Sequence, residues 1–513
     1  MGKLTHTDVG AELTKTEWEA EATHKIGGVA DLNIVRTATY VVAAYNAPAH
    51  VKAQADYVCD GTADGTEINA AISALSTTGG RVVLTEGLFT LSGNGYLNIN
   101  KSNVILHGQG AATIIKAENG YVGSDGSDRI MARIYGTVGT PISNVRVEGI
   151  YFDGNRANVT EPVQIVRLNY AGKVYFDNVS FHAPPYMGMV LETGVYDVFV
   201  ARSRFSGNKN TGNNGAYVYT ATSTPQAWFS DVSFDTHDDQ AFYIGGGTVI
   251  VNRAYFKNVN IAFDVRSGAL GQLTNSLIDG GANFSIILQG DRSTVRSVKI
   301  INTTNTTING IIQVLGNENI LDDLTIVAAD DVTARTLVDF VSGSRNTLTN
   351  SRLYGSKLSS NAANLVGFGY SSAVGNTVEN NILSHSFAAF HFFAGTAGAN
   401  YARNNTVSDF NYYLLDPTNS PVSSLPYFKD SGNPGHVTEN SGTATITDNT
   451  TSIAVNHGLA YTPVAGDIVV TPSTSLGVAS KFWVDTYTST QFTIHVNIDP
   501  DASVGFVWLA RKN

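Results

Sequence analysis

Between residues 145 and 407 the chain repeats one short pattern, with apolar or small side chains at positions 1, 3, 6 and 8 and polar residues between them. Val145-Val147-Ile150-Phe152 is followed by Val174-Phe176-Val179-Phe181, Val198-Val200-Ser203-Phe205, Ala227-Phe229-Val232-Phe234 and Val249-Val251-Ala254-Phe256. Looser copies continue as Leu273-Ile278, Val295-Ile300, Leu321-Ile326, Leu348-Leu353, Val378-Leu383 and Ala402-Val407. The last anchors of these eleven copies lie 22 to 30 residues apart, the signature of a stacked repeat. Each copy is two runs of period-2 alternation rich in Val, Ile, Phe and Thr, broken by Asn, Gly or Ser. That favours strands stacked coil on coil over helical repeats. Asparagines at the breaks (Asn178, Asn350, Asn380, Asn381, Asn404, Asn405) suit left-handed corners and stacked amide ladders. The expected fold is therefore all-β, a right-handed parallel β-helix over residues 51–430.

The flanks break the pattern. In DYVCDGTADGTEINAAISALSTTGG, Ile68, Ala71, Ile72 and Leu75 fall at i, i+3, i+4 and i+7 behind a D-x-x-E box of Asp64 and Glu67. This predicts one amphipathic helix ended by Gly79-Gly80 and placed to cover the open end of the β stack. Residues 1–50 have mixed charge, a short helical patch near Leu13 to Ala22 and too little apolar surface for a core; they read as an attachment arm. After a Gly, Asn, Pro and Ser stretch near residue 430, alternating segments from TATIT to SVGFVWLA predict a small β-sandwich over 437–513. Its expected role is oligomerisation or carbohydrate binding.

Composition agrees: of 513 residues only 15% are charged, against 42% hydrophobic, with 50 Gly. A formal charge of −11 without basic runs argues against nucleic acid and anionic membranes as partners. Cys59 is alone, so neither a disulfide framework nor a cysteine zinc cage is available. No 18-residue apolar run and no signal-peptide core appear, giving the expectation of a soluble chain without a Sec signal.

ADYVCDGTADGTEINAAISAL, with GGRVVLTEGLFTL and NVILHGQG, resembles the start of pectate-lyase-like β-helix proteins, and among them viral tailspikes. The terminal VNHGLAYTP, FWVDTYTSTQFTIHV and FVWLARKN are similar to small sandwiches that close virus tail proteins, and LTHTDVGAELTKTEWEAEATH looks like segments near their starts. The resemblance implies a polysaccharide partner, a virion surface or extracellular location with the arm on the tail, and a homotrimer. The family holds hydrolases, lyases, epimerases and silent adhesins, so fold is implied more sharply than chemistry.

Candidate chemistry comes from a second set of short strands. With Met189-Leu191, Ala216-Val218, Phe242-Ile244, Phe263-Val265 and their successors inward, the alternates face outward: Glu192, Tyr217, Tyr219, Tyr243, Asp264, Arg266, Gln289 and Gln313. Such a wall suits glycan binding, with aromatic faces for sugar rings and polar groups for hydroxyls. A solvated face with stabilising aromatic ladders is the plain alternative. FDTHDDQAFYIGGG places Asp235, His237, Asp238 and Asp239 beside Tyr243. The Asp238-Asp239 pair resembles that of polygalacturonase-type hydrolases, although the other motifs of that family do not appear. Asp239 is the expected general acid and Asp238 or Asp264 the base, with Glu192 a further candidate. Arg266, Gln289, Asp235 and His237, with the three tyrosines, are the expected substrate contacts. No cofactor is required by this reading; Asp235, Asp238 and Asp239 could hold Ca²⁺ weakly, and His107, His182 and His237 show no ligand spacing. The leading expectation is an endo-acting glycoside hydrolase. A lyase acting on a uronate glycan and a non-catalytic receptor-binding tail protein are the alternatives.

Overall fold

The computed structural model describes residues 38–511 apart from 209–215, 222–224, 281–284, 304–309, 329–335, 356–363, 370–371, 394–398, 419–427, 434–438 and single positions 125, 127, 416 and 432. The helical patch near Leu13 lies outside the described residues. The architecture is a right-handed parallel β-helix of three sheets. One sheet takes a strand from each coil, sixteen in all, from Tyr57–Val58 and Ala38–Ala43 through Gly80–Leu84 to Phe428–Ser431. The second and third merge into a 22-stranded network because four strands, Ser233–Ile244, Tyr255–Val265, Ile382–Phe392 and Thr406–Leu415, run through the corner between them.

All eleven predicted anchors form one row on the second sheet. Phe152 pairs Phe181, then Phe205, Phe234, Phe256, Ile278, Ile300, Ile326, Leu353, Leu383 and Val407 without a slip. The row runs back through Ile115 to Phe89. Every anchor is buried, and the phenyl rings of Phe181, Phe205, Phe234 and Phe256 stack at 4.5, 4.8 and 5.1 Å. Register is held because a one-residue slip would turn this whole row to solvent.

The corner asparagines divide into two roles. Asn178, Asn350, Asn380 and Asn404 take φ between 51° and 58°, the left-handed conformation that asparagine tolerates best among residues with a side chain. Asn381 and Asn405, each next in the chain, are buried and form the amide ladder. Asn381 Nδ2 donates to Asn405 Oδ1 at 2.9 Å, and Asn405 Nδ2 to Asn433 Oδ1 at 3.1 Å. A parallel ladder, Asn346 to Asn376 to Asn400, lines another corner. Each amide also accepts a main-chain N–H from the preceding coil, so the turn backbone is satisfied without water.

The capping helix spans Gly65–Ala74 and buries Ile68, Ala71 and Ile72 against the first coils, with Leu75 buried just beyond it. The expected capping box is absent. Asp64 turns inward, where its carboxylate accepts from the N–H groups of Gly61 (2.8 Å) and Thr90 (2.7 Å) and so ties the helix start to a strand. The expected arm also ends earlier than residue 50, because Ala38–Ala43 pairs in parallel with Gly80–Leu84. At the other end, two three-stranded antiparallel sheets form the sandwich, with Ile446, Phe492, Ile494, Val504 and Phe506 in a core of their own. No described helix is long and apolar enough to cross a membrane.

Candidate active site

The outward row of the third sheet is fixed by pairing. It runs Arg133, Arg167, Val190, Tyr219, Tyr243, Asp264, Ile287, Gln313, Asp339, Gly367 and His391. The predicted neighbours Tyr219, Tyr243 and Asp264 are thus on successive coils, and Arg266 lies two residues along from Asp264.

Around Asp264 the side chains interlock. Arg266 Nη2 sits 2.8 Å from Asp264 Oδ2, and Gln240 Nε2 donates to the same oxygen at 3.0 Å. The Arg266 guanidinium lies 4.7 Å over the Tyr243 ring, which in turn stacks on Tyr219 at 5.3 Å and 14°. Each tyrosine therefore turns one face to the other, and both are partly exposed, whereas Val190, Asp264 and Ile287 of the same row are buried. Asp264 is fully buried and its Oδ1 has no hydrogen-bond partner. Burial pushes its carboxyl up to about 6; Arg266 draws it down and the charge of Asp239 raises it further. Asp239 is only half-buried, and burial raises its carboxyl too, against the pull of Arg266. Asp239 is thus the more exposed member of this pair.

The local backbone explains how. Along Ser233–Ile244, His237 pairs Val259 and Gln240 pairs Ile261, so Asp238 and Asp239 together oppose the single residue Asn260. This is a β-bulge at the corner between two sheets, the feature that re-aims side chains beside functional sites. The side chain of Asp238 lies outside the described residues. His237 is buried, its ring edge-on to Tyr217 at 4.4 Å, and its Nδ1 accepts the Asp239 main-chain N–H at 2.8 Å. It shapes the bulge and is not a surface contact.

Two further expectations are corrected. Tyr217 does not face outward. It is fully buried between Phe205 and Phe234, and its hydroxyl donates to the carbonyls of Asp235 and Thr236 at 2.9 and 3.2 Å. The strand begins only at Val218, so the alternation does not extend back to Tyr217. Asp235 lies on the second sheet, paired with Ser206 and Lys257 and bridged to Arg204 at 3.2 Å, away from the tyrosine row.

Glu192 belongs to a second centre on the same sheet. It sits 3.2 Å from Arg167, which also pairs with Asp128; burial, and after it the charge of Glu192, raises the Tyr219 hydroxyl. Gln289 follows one coil beyond Arg266, its N–H bonded to Val265. The trio of Asp235, Asp238 and Asp239 includes a side chain outside the described residues; among the described residues the one trio of possible metal ligands is Cys59, Asp64 and Glu67 near the capping helix.

Sequence reasoning missed Gln240, Arg167 and a polar cluster three coils beyond Asp264. There Asp339 is buried with Oδ1 unpartnered, burial alone pushing its carboxyl up to about 7. Beside it, Asn364 Nδ2 contacts His391 Nδ1 at 2.8 Å. Arg167 and Asp339 were both readable, since IVRLN and LVDF carry the same alternation as the strands already placed.

No protein-family model matches the chain, and no curated protein matches it in sequence. Solved structures do. The A-module of the mannuronan C-5 epimerase AlgE6 of Azotobacter vinelandii aligns at 18% identity with a TM-score of 0.40, over 73% of this chain and 96% of its own. ORF18 of Geobacillus virus E2 aligns at 15% and 0.34, over 87% and 75%. The catalytic unit of a GH87 α-1,3-glucanase from Streptomyces thermodiastaticus aligns at 14% and 0.43, over 72% and 66%. At these identities the likeness is one of fold.

Proposed function

We propose that this chain is an endo-acting glycoside hydrolase that takes a polysaccharide along the outer face of the third sheet. The bulge at Asp238 and Asp239 carries the reading. It carries a half-buried carboxyl with a raised proton affinity in the field of Arg266, whose guanidinium lies over the Tyr243 ring, on the face that in this reading forms the substrate groove. A carboxyl so placed protonates a leaving glycosidic oxygen, and a second carboxylate activates water or attacks. Asp239 is the acid and Asp238, adjacent on the bulge, its partner. Asp264 is a positioning residue that holds Arg266 and Gln240 and couples electrostatically to Asp239.

Hydrolysis is favoured over elimination by the charge pairing. A lyase must neutralise a uronate carboxylate, yet Arg266 is paired with Asp264, and Arg167 with Asp128 and Glu192. A uronate brought to this groove would meet carboxylates beside cations that are already occupied. By the resemblance in the sequence, the protein works as a trimer on a virus tail, held through its N-terminal residues; a monomer mass at micromolar concentration would count against that part.

The test is release of reducing ends from a broad panel of polysaccharides. Asp239→Asn should lower the rate about 100-fold or more while binding persists. Unsaturated uronate absorbance would select the lyase reading. Binding without turnover by the wild-type protein would select the receptor-binding one.

A further inference from the structure

The sandwich carries an exposed tryptophan that the groove does not explain. Trp483 lies in the strand Phe482–Asp485, at the edge of the sheet whose other strands are Gln491–Val496 and Ser452–Asn456. Phe482 and Val484 pair with the buried Val496 and Ile494, so Trp483 and its partner His495 are on the opposite, outward face. The indole is 44% exposed, yet it is held in place. One face stacks on the His495 imidazole at 5.1 Å and 8°. Its Nε1–H donates to Asp485 Oδ2 at 3.1 Å, and His495 Nε2 lies 2.8 Å from Asp485 Oδ1. Thr486 also donates to that carboxylate, at 2.7 Å. Hydrogen bonds from Thr486, then His495 and Trp483, hold the Asp485 carboxyl below its ordinary range, so it stays charged.

An immobilised indole at a sheet edge, with no described strand beyond it, contributes little to a core. What it offers is a rigid apolar plate whose ordering entropy is already lost before any ligand arrives. Its surroundings decide the ligand. The outward neighbours across the sheet are Ser452, Thr493, the hydrogen-bonded pair Gln491 and Asn456, and the small Ala454, so the face around the ring is polar but for one methyl group. A protein interface needs a contiguous apolar centre. One aromatic plate among hydroxyls, amides and a carboxylate instead matches a pyranose ring, with an apolar C–H face and a rim of hydroxyls.

We propose that Trp483, set by His495 and Asp485, is a glycan-binding platform on the C-terminal sandwich, separate from the groove and taking a pyranose unit of a polysaccharide. It does not depend on the cleavage reading. The test is affinity electrophoresis of the full chain in gels containing starch, mixed-linkage β-glucan, glucomannan, xylan or galactan. An Asp239→Asn background prevents digestion of the gel polymer. At least one polymer should retard the parent chain, with Trp483→Ala weakening that retardation about tenfold and Trp483→Tyr keeping most of it. His495→Ala, which removes the backing of the ring, should weaken it less. Retardation of Trp483→Ala equal to the parent on every retarding polymer overturns the proposal, as does a parent chain that none of them retards. A Trp483→Ala change in oligomeric mass with unchanged retardation overturns it in favour of a self-association face. Absence of turnover by the chain with Asp239 intact, with retardation unchanged, would sink the hydrolase reading alone.

Discussion

Asp264 gives the sharpest quantitative expectation, because it is fully buried and its carboxyl stands at about 6 instead of 3.8. A folded-state value above the unfolded one means that the native protein holds the proton more tightly. The resulting stability is complete below about pH 4 and is lost as pH rises through about 6. A displacement of that size is worth about 3 kcal/mol. Unfolding the roughly 390 residues of the β-helix has an entropy of about 0.8 kcal/mol per kelvin at about 2 cal/mol per kelvin per residue, so the melting temperature should move by about 3–4 °C. The comparison is wild type against Asp264→Asn, melted at half-unit steps from pH 4 to pH 8. The asparagine can still accept from Gln240 and Arg266, but it does not titrate. Wild type should therefore lose about 3 °C more than the variant over that range, with the loss falling between about pH 4 and pH 6 and its midpoint near pH 5. Because Asp239 and Asp264 interact, the alkaline limb of hydrolysis should shift in the variant as well. Parallel melting curves would falsify the claim that the fold holds this proton.

Asp339→Asn should raise the melting temperature at pH 8 and have little effect below about pH 4. Burial alone holds that carboxyl at about 7, so ionising it at pH 8 costs up to about 4 kcal/mol. An unchanged melting temperature at pH 8 would contradict this. Phe234→Ala removes a central ring of the phenyl stack, between Phe205 and Phe256 at 4.8 and 5.1 Å, and should cost about 3–5 kcal/mol, read as a lower melting temperature. Gly367→Ala should destabilise the last coils, since its Cβ would come within 2.9 Å of the Phe393 ring and 3.0 Å of Asp339 Oδ1; limited proteolysis would report it.

The repeat was legible because burial of one face imposes a strict period on each strand, and eleven copies let the register be counted. Places where the backbone leaves that period were not legible. Tyr217 sits one residue before its strand, where the chain turns the corner and carries the ring inward. Asp64 makes a favourable cap in sequence, but two main-chain donors from Gly61 and Thr90 compete for it and win. The bulge at Asp238 and Asp239 shows only when two coils are paired. Gln240 illustrates the general difficulty: nothing local marks an amide whose partner, Asp264, lies 24 residues on.

Asp239 and Asp264 belong to neighbouring coils, so the length of the intervening loop does not set their separation along the helix axis. Strand spacing does, at roughly 4.8 Å per coil, among the stiffest dimensions a protein has. Turns between the coils can lengthen or shorten without moving one carboxyl past the other. Conversely, a carboxyl transferred to another rung travels by whole steps, with no intermediate position along the axis. Geometry on such a scaffold is digital: substitutions choose which rungs carry charge, and the ladder dictates the distance.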